Sequence, residues 1–503
     1  MGPFVIRRLL IANRGEIAVR IIHTCRELGI ETVAVFSDAD RTALHVELAD
    51  RAMPLGPPPA LQSYLDISKV IDAARRSEAD AIHPGYGFLS QSPAFAAACA
   101  GAGLIFVGPP ADVMSRMGSK IEARQLMESA GVPVVPGAVP PDQSDASLAR
   151  AIERVGFPAL IKASKGGGGK GMRIVESPAD AVDRLQAARR EAQAAFGDGT
   201  LYVEHLIGRP HHIEVQVIAD EHGDALHVFE RECSVQRRHQ KVIEESPSPN
   251  VTPALRRRLT DSAIVAARAS SYRNAGTVEF LVDLSGPNRD EAGFHFLEMN
   301  TRLQVEHGVT EQVAGVDLVR AQLLVASGKA LPWRQTELIQ RGHSIEARVY
   351  AEDPEHGFLP QAGKLLLYRE PRMPGVRIDS GVREGDEIPV YYDPLLAKVI
   401  AHAETRELAI ARLIAALQAF PILGIITNIP FLIRVLEHPR FRAGEIHTGF
   451  LDHEGASLSE PVHEPMPPFV SAAISAATAA HGPGGAATQA DWDPWGQLSG
   501  WRP

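Results

Sequence analysis

Long polar side chains recur at every second position from residue 298 to residue 306, within the segment 294–307. The members of this row are Glu298, Asn300, Arg302, Gln304 and Glu306. Because an extended chain sends alternate side chains to opposite faces, we expect one face to carry carboxylates, amides and a guanidinium together. The alternative is an exposed strand with alternating charges, but a solvated face rarely needs amides and an arginine between its carboxylates.

A second strand-like segment, 276–283, places Glu279 close to this row, because only a short loop separates the two segments. Neighbouring residues on paired strands lie about 5 Å apart. Glu279, Glu298 and Asn300 could therefore supply oxygen ligands to Mg²⁺, which binds carboxylates together with substrate phosphates. The spacing indicates a site for a metal and a phosphate.

Four consecutive glycines, residues 166–169, lie between basic residues in the segment 161–174. Such a run cannot be the interior of a stable helix or strand, because ordering it costs too much entropy. Its backbone N–H groups are suited to close over phosphate oxygens, and Lys162 precedes the run on a strand-like segment. The run is not a Walker A loop, because Lys170 is followed by Gly171. A flexible surface loop is the alternative interpretation.

A third segment, 232–247, gathers positive charge in a chain that is acidic overall. Its basic residues are Arg237, Arg238, His239 and Lys241. Taken alone, these residues are typical of a solvated basic turn. Beside a carboxylate–metal site they could instead hold a second small anion.

The composition of the 503-residue chain restricts the class of function. Hydrophobic residues make up 45% and charged residues 22%, which is typical of globular domains. With a net charge of −10, the chain has no large excess of positive charge with which to bind a nucleic-acid backbone. No apolar run in the sequence is long enough to span a membrane. The apolar N-terminal run contains two arginines, which does not suit a signal peptide. Three widely spaced cysteines match neither a zinc site nor a disulfide framework, so we expect a cytoplasmic protein.

The elements that must position these residues follow an α/β pattern. Two strand-like runs, 7–12 and 31–37, flank a helical apolar pattern, which predicts a parallel βαβ unit and a doubly wound α/β domain. Later runs predict a smaller α/β segment, an antiparallel sheet and a mixed α+β segment. The expected divisions are an N-terminal domain (1–117), a central region (118–320) with a lid at about 133–206, a C-terminal domain (340–450) and a linker-like tail (453–503).

Ten motifs follow one another along roughly residues 5–450. They are IANRGEIAVRI (11–21), AIHPGYGFLS (81–90), MGSK (117–120), KASKGGGGKGMR (162–173), HHIEVQV (211–217), ECSVQRRHQKVIEE (232–245), GTVEFL (276–281), LEMNTRLQVEHGVTE (297–311), GHSIEARVYAEDP (342–354) and YYDPLLAKVI (391–400). In this order they resemble the alpha-type biotin carboxylase component of biotin-dependent acyl-CoA carboxylases, a branch of the ATP-grasp superfamily. The resemblance implies an ATP-grasp central region with a mobile lid and a C-terminal mixed α+β domain.

The resemblance also implies a role for each residue that falls on a motif of the family. The implied nucleotide site comprises Lys120, Lys162, Gly168, Gly169, Glu204, His205, Leu206, Ile207, His212, Gln236 and His239. The implied ligands of Mg²⁺ or Mn²⁺ are Glu279, Glu298 and Asn300. The implied contacts of bicarbonate are Lys241, Arg302, Gln304 and the backbone of Val305. Glu306 falls on the position of the general base. Arg348 falls on the position of the cation that stabilises the biotin enolate, and Tyr86 on that of a neighbour of the biotin ring.

The implied reaction is the ATP- and bicarbonate-dependent carboxylation of biotin through carboxyphosphate, the first half-reaction of an acyl-CoA carboxylase. The family suggests a homodimer, with the biotin carboxyl carrier protein and the carboxyltransferase as separate polypeptides. Alternatives are another ATP-grasp ligase or a catalytically weak scaffold subunit. The scaffold is motivated by Gly308, where the family usually has proline, and by His205 and Leu206, where it usually has Lys-Tyr.

The family carries biotin on the lysine of a Met-Lys motif, and these 503 residues contain no Met-Lys pair. The tail includes DPWGQLSGW (493–501), which resembles a segment that leads toward the carrier in longer alpha chains. We therefore expect that this chain is not itself biotinylated and that residues 490–502 help to dock a partner. An unstructured tail that binds nothing is the alternative.

Overall fold

The structure, a computed structural model, describes residues 5–164 and 171–460 together with Ala472. All elements named below belong to one structural unit that ends at Ser459. No helix in the described ranges is long and apolar enough to cross a membrane.

The N-terminal region is a parallel sheet covered on both faces. Its elements are β1 (Arg8–Ile11), α1 (Gly15–Leu28), β2 (Glu31–Ser37), α2 (Leu44–Leu48), β3 (Arg51–Gly56), α3 (Ile67–Arg76), β4 (Ala81–His83), α4 (Pro93–Gly101), β5 (Ile105–Phe106) and α5 (Ala111–Gly118). Leu9 and Ile11 pack with Ile17 of α1 on one face, whereas Leu10 packs on the opposite face. The parallel strand order β3-β2-β1-β4-β5 confirms the predicted doubly wound arrangement.

The point where this strand order reverses, between β1 and β4, positions the first site loop. Ligands of such sheets bind at the carboxyl ends of the strands next to this point. The loop after β4 carries Tyr86, whose carbonyl accepts a hydrogen bond of 2.7 Å from Asn13 Nδ2 in the loop after β1. The two loops therefore form one wall of the site described below.

A smaller antiparallel sheet follows, within the predicted lid. Its elements, with the helix that precedes them, are α6 (Lys120–Ser129), β6 (Gly137–Ala138), α7 (Asp145–Val155), β7 (Ala159–Ala163), β8 (Arg173–Val175), α8 (Ala181–Phe196) and β9 (Leu201–His205). The strand order is β6-β9-β7-β8. Leu148 of α7 and Leu185 of α8 bury the sheet through Ile161 and Val203. This packing fixes β7 and β9, which carry three of the predicted nucleotide contacts, Lys162, Glu204 and His205.

An eight-stranded antiparallel sheet, called the central sheet below, follows in the chain. Its first elements and their helices are β10 (His211–Ala219), β11 (Ala225–Arg237), β12 (Gln240–Ser246), α9 (Pro253–Ala269), β13 (Asn274–Asp283), β14 (Gly293–Asn300), α10 (His307–Ala314) and α11 (Leu318–Ala326). The strand order is β14-β13-β10-β11-β12 followed by three later strands. The predicted antiparallel sheet is confirmed.

The C-terminal region continues this sheet and adds small two-stranded sheets and helices. Its elements are β15 (His343–Tyr350), β16 (Glu352–Asp353), β17 (Leu359–Pro360), β18 (Gly363–Lys364), β19 (Leu367–Tyr368), β20 (Val376–Ser380), β21 (Glu387–Ile388), β22 (Leu395–Ala403), α12 (Arg406–Gln418), β23 (Ile422–Leu423), α13 (Ile429–Glu437), α14 (Pro439–Arg442) and α15 (Phe450–Ser459). Strands β15, β22 and β20 extend the central sheet, because β15 pairs with β12 at Ile243 and Ala347. The first residues of the predicted tail are helical, since α15 ends at Ser459.

The structure corrects one prediction about the polar row. Strand β14 ends at Asn300, so the side chains of Arg302, Gln304 and Glu306 do not share an extended face with those of Glu298 and Asn300. The chain turns instead, because the backbone N–H of His307 donates to the carbonyl of Gln304 at 3.4 Å and starts α10. The alternation in sequence was therefore only partly a strand pattern.

Candidate active site

Two of the predicted metal ligands lie on the adjacent strands β13 and β14. Glu279 and Glu298 are direct partners in the antiparallel register, as the sequence predicted. Asn300 Nδ2 donates to Glu279 Oε1 at 2.8 Å. Glu298 reaches in another direction, and its Oε2 lies 3.8 Å from Lys120 Nζ. The structure thus brings Glu279 and Asn300 into contact, with Glu298 on the neighbouring strand.

Lys241 is the centre of the most highly charged cluster. Its Nζ lies 2.6 Å from Glu214, 3.0 Å from Glu279 and 2.6 Å from Glu306. Burial acts to lower the pKa of Lys241, but these carboxylates, with the thiol of Cys233, outweigh it and raise the pKa well above the usual value. Lys241 is therefore charged, and it holds together carboxylates from three different strands or turns.

Glu306, the predicted general base, lies between two cations. Its Oε1 contacts Lys241, and its Oε2 lies 3.0 Å from a guanidinium nitrogen of Arg348. Burial acts to raise the pKa of Glu306, yet Lys241 and Arg348 outweigh it and hold the pKa well below the usual glutamate value. The carboxylate is therefore ionised. Arg348 also donates to Glu244 at 2.6 Å, and burial raises the pKa of Glu244 to about 7.

Arg302 and Gln304 approach this cluster from the turn after β14. Arg302 donates to the side-chain oxygen of Gln304, and Gln304 Nε2 donates to Glu279 Oε1 at 3.0 Å. The carbonyl of Val305 accepts a 2.7 Å hydrogen bond from Lys398 Nζ. Lys398 is fully buried, so its contact fixes the backbone next to Glu306.

A cavity of about 440 Å³ opens beside these groups, within the usual size range of ligand pockets. Its lining includes Arg302, Val305 and Arg348 together with Tyr86 and Asn13 of the N-terminal loops. The predicted neighbours of the biotin ring therefore share one cavity. These residues come from the N-terminal loops, the β14–α10 turn and β15. Their spacing in the sequence did not predict that they would meet.

The predicted nucleotide residues divide into two groups. Lys162 on β7 and Glu204 on β9 are buried and paired, with Lys162 Nζ 2.6 Å from Glu204 Oε2. After Glu204, the backbone N–H groups of His205 and Leu206 donate to the carbonyls of Pro136 and Pro158, and Ile207 follows them. These residues form a connection between the smaller sheet and β10.

The second group lies around Lys241. His212 Nε2 lies 2.8 Å from Glu279 Oε2, and Gln236 is the strand partner of Lys241. Burial acts to lower the pKa of His212, but Glu279 outweighs it and raises the pKa above the usual histidine value. His239 is exposed in the turn between β11 and β12. The predicted contacts Gly168 and Gly169 lie outside the described residues.

Several buried charged residues belong to the site although the sequence interpretation did not include them. Arg231 is fully buried and donates to Glu214, its partner across β10 and β11, and also to Thr310 Oγ1 at 2.9 Å. A signal existed, because Glu214 lies between apolar residues in HHIEVQV and shares the alternate positions of His212. The other omitted residues are Glu244, Lys398 and Arg124.

Gly308, one of the departures from the family, lies in the first turn of α10. A Cβ at this position would collide with Cδ1 of the buried Ile400. The glycine therefore matches the packing of β22 behind it. The helix α10 forms normally, and Glu306 immediately precedes it.

The donor set suits a hard divalent cation. Glu279 and Glu298 are register partners on adjacent strands, Asn300 carries an amide oxygen, and Glu298 is partly exposed, with its 3.8 Å contact to Lys120 as an ion pair within the described part of the chain. Oxygen ligands of this kind favour Mg²⁺ or Mn²⁺. The residues present therefore fit the implied metal.

Comparison with protein families covers nearly all of the described chain. Residues 5–114 match the family described as biotin carboxylase, N-terminal domain, and residues 346–453 match the biotin carboxylase C-terminal domain. Residues 119–334 match the family described as carbamoyl-phosphate synthase L chain, ATP binding domain. The three matches follow the order of the regions described above.

Individual proteins agree with these matches. The chain is 49% identical over 448 residues to the biotin carboxylase of Halalkalibacterium halodurans, which covers 88% of this chain and 97% of that protein. It is 51% identical over 448 residues to the mitochondrial methylcrotonoyl-CoA carboxylase subunit alpha of Glycine max, covering 89% of this chain and 61% of that protein. The chain thus spans about six tenths of the length of this alpha subunit.

Solved structures share the fold. The biotin carboxylase–β-γ-ATP complex of Campylobacter jejuni superposes with a TM-score of 0.85 at 44% identity, covering 89% of this chain and 99% of that one. The biotin carboxylase domain dimer of the 2-oxoglutarate carboxylase of Hydrogenobacter thermophilus, crystallised with MgADP, ADP and bicarbonate, also gives 0.85 at 40% identity, covering 91% and 99%. The fold is therefore that of an ATP-dependent ligase with an ATP-grasp central domain. The chain belongs to the biotin carboxylase family.

Proposed function

We propose that this chain carboxylates biotin held on a separate biotin carboxyl carrier protein, as the first half-reaction of an acyl-CoA carboxylase. The observation that supports the assignment best is the position of Glu306. Its carboxylate contacts both Lys241 and Arg348, and Arg348 lines the cavity that also contains Tyr86. This reaction requires a base, a cation that binds the anion and a second cation beside the cavity for the biotin ring. Glu306, Lys241 and Arg348 match these three requirements.

ATP binds between the smaller sheet and the central sheet in this proposal. Lys120 and Lys162 contact its phosphates, and the backbone of Glu204 to Ile207 contacts adenine, with the remaining predicted nucleotide residues around them. Glu279, Glu298 and Asn300 would hold Mg²⁺ or Mn²⁺. When bound, such a cation neutralises charge on the phosphate oxygens.

Bicarbonate binds to Lys241, Arg302, Gln304 and the backbone of Val305. Glu306 removes the bicarbonate proton, and the resulting oxygen attacks the γ-phosphorus while the bond to the ADP oxygen breaks. The product is carboxyphosphate, whose C–O bond then breaks to give CO₂ and phosphate. The phosphate takes the ureido proton of biotin, and the nitrogen forms a bond to CO₂. Arg348 stabilises the negative oxygen of biotin during this step.

The proposal includes the setting of the reaction. The carrier and the carboxyltransferase subunit act in trans, the chain forms a homodimer, and the compartment is the reducing cytoplasm, where its three buried free cysteines persist. The 51% identity to the methylcrotonoyl-CoA carboxylase subunit alpha of Glycine max suggests methylcrotonoyl-CoA as one candidate acceptor. The segment 490–502, proposed to dock a partner, lies outside the described residues.

The test is whether free biotin stimulates bicarbonate-dependent ATP cleavage by the full chain. We expect stimulation in the native chain, whereas a chain whose ATP cleavage ignores both biotin and bicarbonate would contradict the proposal. A streptavidin blot that detects biotin on this chain would contradict the proposal of a carrier in trans.

Arg348→Ala gives a residue-specific form of this test. We expect it to abolish biotin carboxylation but to leave much of the biotin-independent ATP cleavage, because Arg348 borders the cavity rather than the metal carboxylates. Exposed Arg341 provides the matched control, Arg341→Ala, which should retain both activities. Equal loss of both activities in Arg348→Ala would remove Arg348 from the biotin role.

A further inference from the structure

Glu204 is a buried carboxylate with a cation on each side. Its Oε2 lies 2.6 Å from Lys162 Nζ, and its Oε1 lies 2.9 Å from a guanidinium nitrogen of Arg124. All three residues are more than nine-tenths buried. Water therefore contributes little to stabilising the carboxylate, and the two neighbouring cations provide that stabilisation instead.

The proposed function gives Lys162 a second task. A lysine that binds ATP phosphates must direct its ammonium group toward them and so share or leave its 2.6 Å contact with Glu204. Removing one partner from a buried ion pair is strongly unfavourable, because an uncompensated charge stays in a low-dielectric environment. Lys162 can turn to the phosphates at low cost only if another cation stays with Glu204.

Arg124 has the geometry for this role. It lies on α6 one turn after Lys120, so both side chains project from the same helix face. The helix is fixed at its start, where the Ser119 side chain accepts from Glu122 N–H and the Lys120 N–H donates to the carbonyl of Ser164. A guanidinium also remains charged under all ordinary conditions.

We infer that Arg124 is a positioning residue for nucleotide binding: it keeps the charge of Glu204 compensated while Lys162 moves to the phosphates. This inference rests on the proposed function and adds a specific residue to it. Arg124 itself touches neither the phosphates nor the reacting atoms. It acts on affinity for ATP and ADP rather than on the chemical step.

The inference predicts a characteristic coupling between Arg124 and Glu204. Arg124→Met should raise the Kd for MgADP and the KM for ATP about tenfold, with kcat changed less than about threefold. Arg124→Lys should restore most of the affinity. Combining Arg124→Met with Glu204→Gln should remove the penalty, because a neutral amide needs no cation, so the double variant binds MgADP within about threefold of Glu204→Gln alone.

The measurement is calorimetric titration of MgADP together with steady-state ATP kinetics on the full-length chain. Arg116→Met on α5, whose side chain is partly exposed, is the matched control and should bind as the native chain does. Additive losses in the double variant, or a fall in kcat without a change in affinity, would overturn the inference. A native chain that fails to bind MgADP would contradict the proposed function instead, so the two failures are distinguishable.

Discussion

The nucleotide end and the bicarbonate end of the site balance charge differently. At the nucleotide end, two buried cations surround the single carboxylate of Glu204. At the bicarbonate end, the single ammonium group of Lys241 lies among three carboxylates, with Arg231 and Arg348 behind them. Excess positive charge suits a polyphosphate, whereas a nearly neutral cluster suits one small anion and a proton transfer.

This difference indicates how the two ends of the site select different anions, ATP at one end and bicarbonate at the other. A polyphosphate placed among Glu214, Glu279 and Glu306 would meet like charges, except where a divalent cation lies between. Bicarbonate placed beside Lys162 would lie away from Glu306, the proposed base, which contacts Lys241 and Arg348 instead. Because the proposed base Glu306 is separate from the phosphate-binding lysines, each anion binds at its own end of the site.

The largest predicted effect concerns the base at the bicarbonate end. Glu306→Gln should lower kcat for bicarbonate-dependent ATP cleavage by about 10²–10⁴, because the amide cannot accept the bicarbonate proton. Affinity for MgADP should stay within about threefold, because Glu306 contacts Lys241 and Arg348 rather than the nucleotide lysines.

The matched control for that variant is Glu346→Gln, in the same cluster. Burial raises the pKa of Glu346 well above the usual value, so an amide resembles the form already present. We expect its kcat to stay within about threefold of the native value. A native turnover no faster than that of Glu306→Gln would favour the scaffold alternative.

The next effect concerns His83, which stabilises the loop that carries Tyr86, a residue lining the cavity proposed for biotin. His83 Nδ1 accepts from the Gly85 N–H at 3.0 Å, next to Tyr86, and burial lowers the pKa of His83 to about 4. Between about pH 6.5 and pH 4 the unfolded chain binds this proton and the folded chain does not, so the free energy of unfolding falls as pH is lowered. The loss amounts to about 3 kcal/mol at most.

Denaturant unfolding at a series of pH values measures this loss. His83→Gln removes the titrating group and should flatten the pH dependence between pH 6.5 and pH 4 while lowering stability at neutral pH. An unchanged slope in this variant would assign the acid sensitivity to other buried groups.

The smallest effect tests the packing behind Glu306. Gly308→Ala should destabilise the fold by about 1–3 kcal/mol, because the new Cβ collides with Ile400 Cδ1. Adding Ile400→Val removes that methyl group, so the double variant should unfold at a higher temperature than Gly308→Ala alone. Affinity for MgADP should not change in either variant. If the Gly308→Ala chain were as stable as the native chain, the space between Gly308 and Ile400 would be large enough for a Cβ, which would contradict this prediction.

Much of this fold follows from local sequence patterns. The βαβ unit, the strands of the antiparallel sheet and the pairing of Glu279 with Glu298 all depend on contacts between segments close in sequence. The continuation of the central sheet into β15 could not be predicted in this way. It pairs residues about a hundred positions apart, such as Ile243 and Ala347, and many other partners would satisfy the same apolar pattern.

The site shows the same limit. Glu306 and Arg348 were identified from family motifs, but the 3.0 Å contact between them depends on two segments that meet only in the folded chain. Arg124 carried no signal, since an arginine on an amphipathic helix is usually solvated. Its contact with Glu204 joins α6 to β9, two segments about 80 positions apart that meet only in the folded chain.

The separation of the two ends can be tested most directly with a pair of lysine variants, Lys162→Gln and Lys241→Gln. For each we would measure the Kd for MgADP by calorimetry and the KM for bicarbonate in steady-state ATP cleavage. Lys162→Gln should raise the Kd for MgADP about tenfold or more and leave the bicarbonate KM within about threefold, and Lys241→Gln should do the reverse. Equal changes of both constants in either variant would contradict the division of the site into two ends.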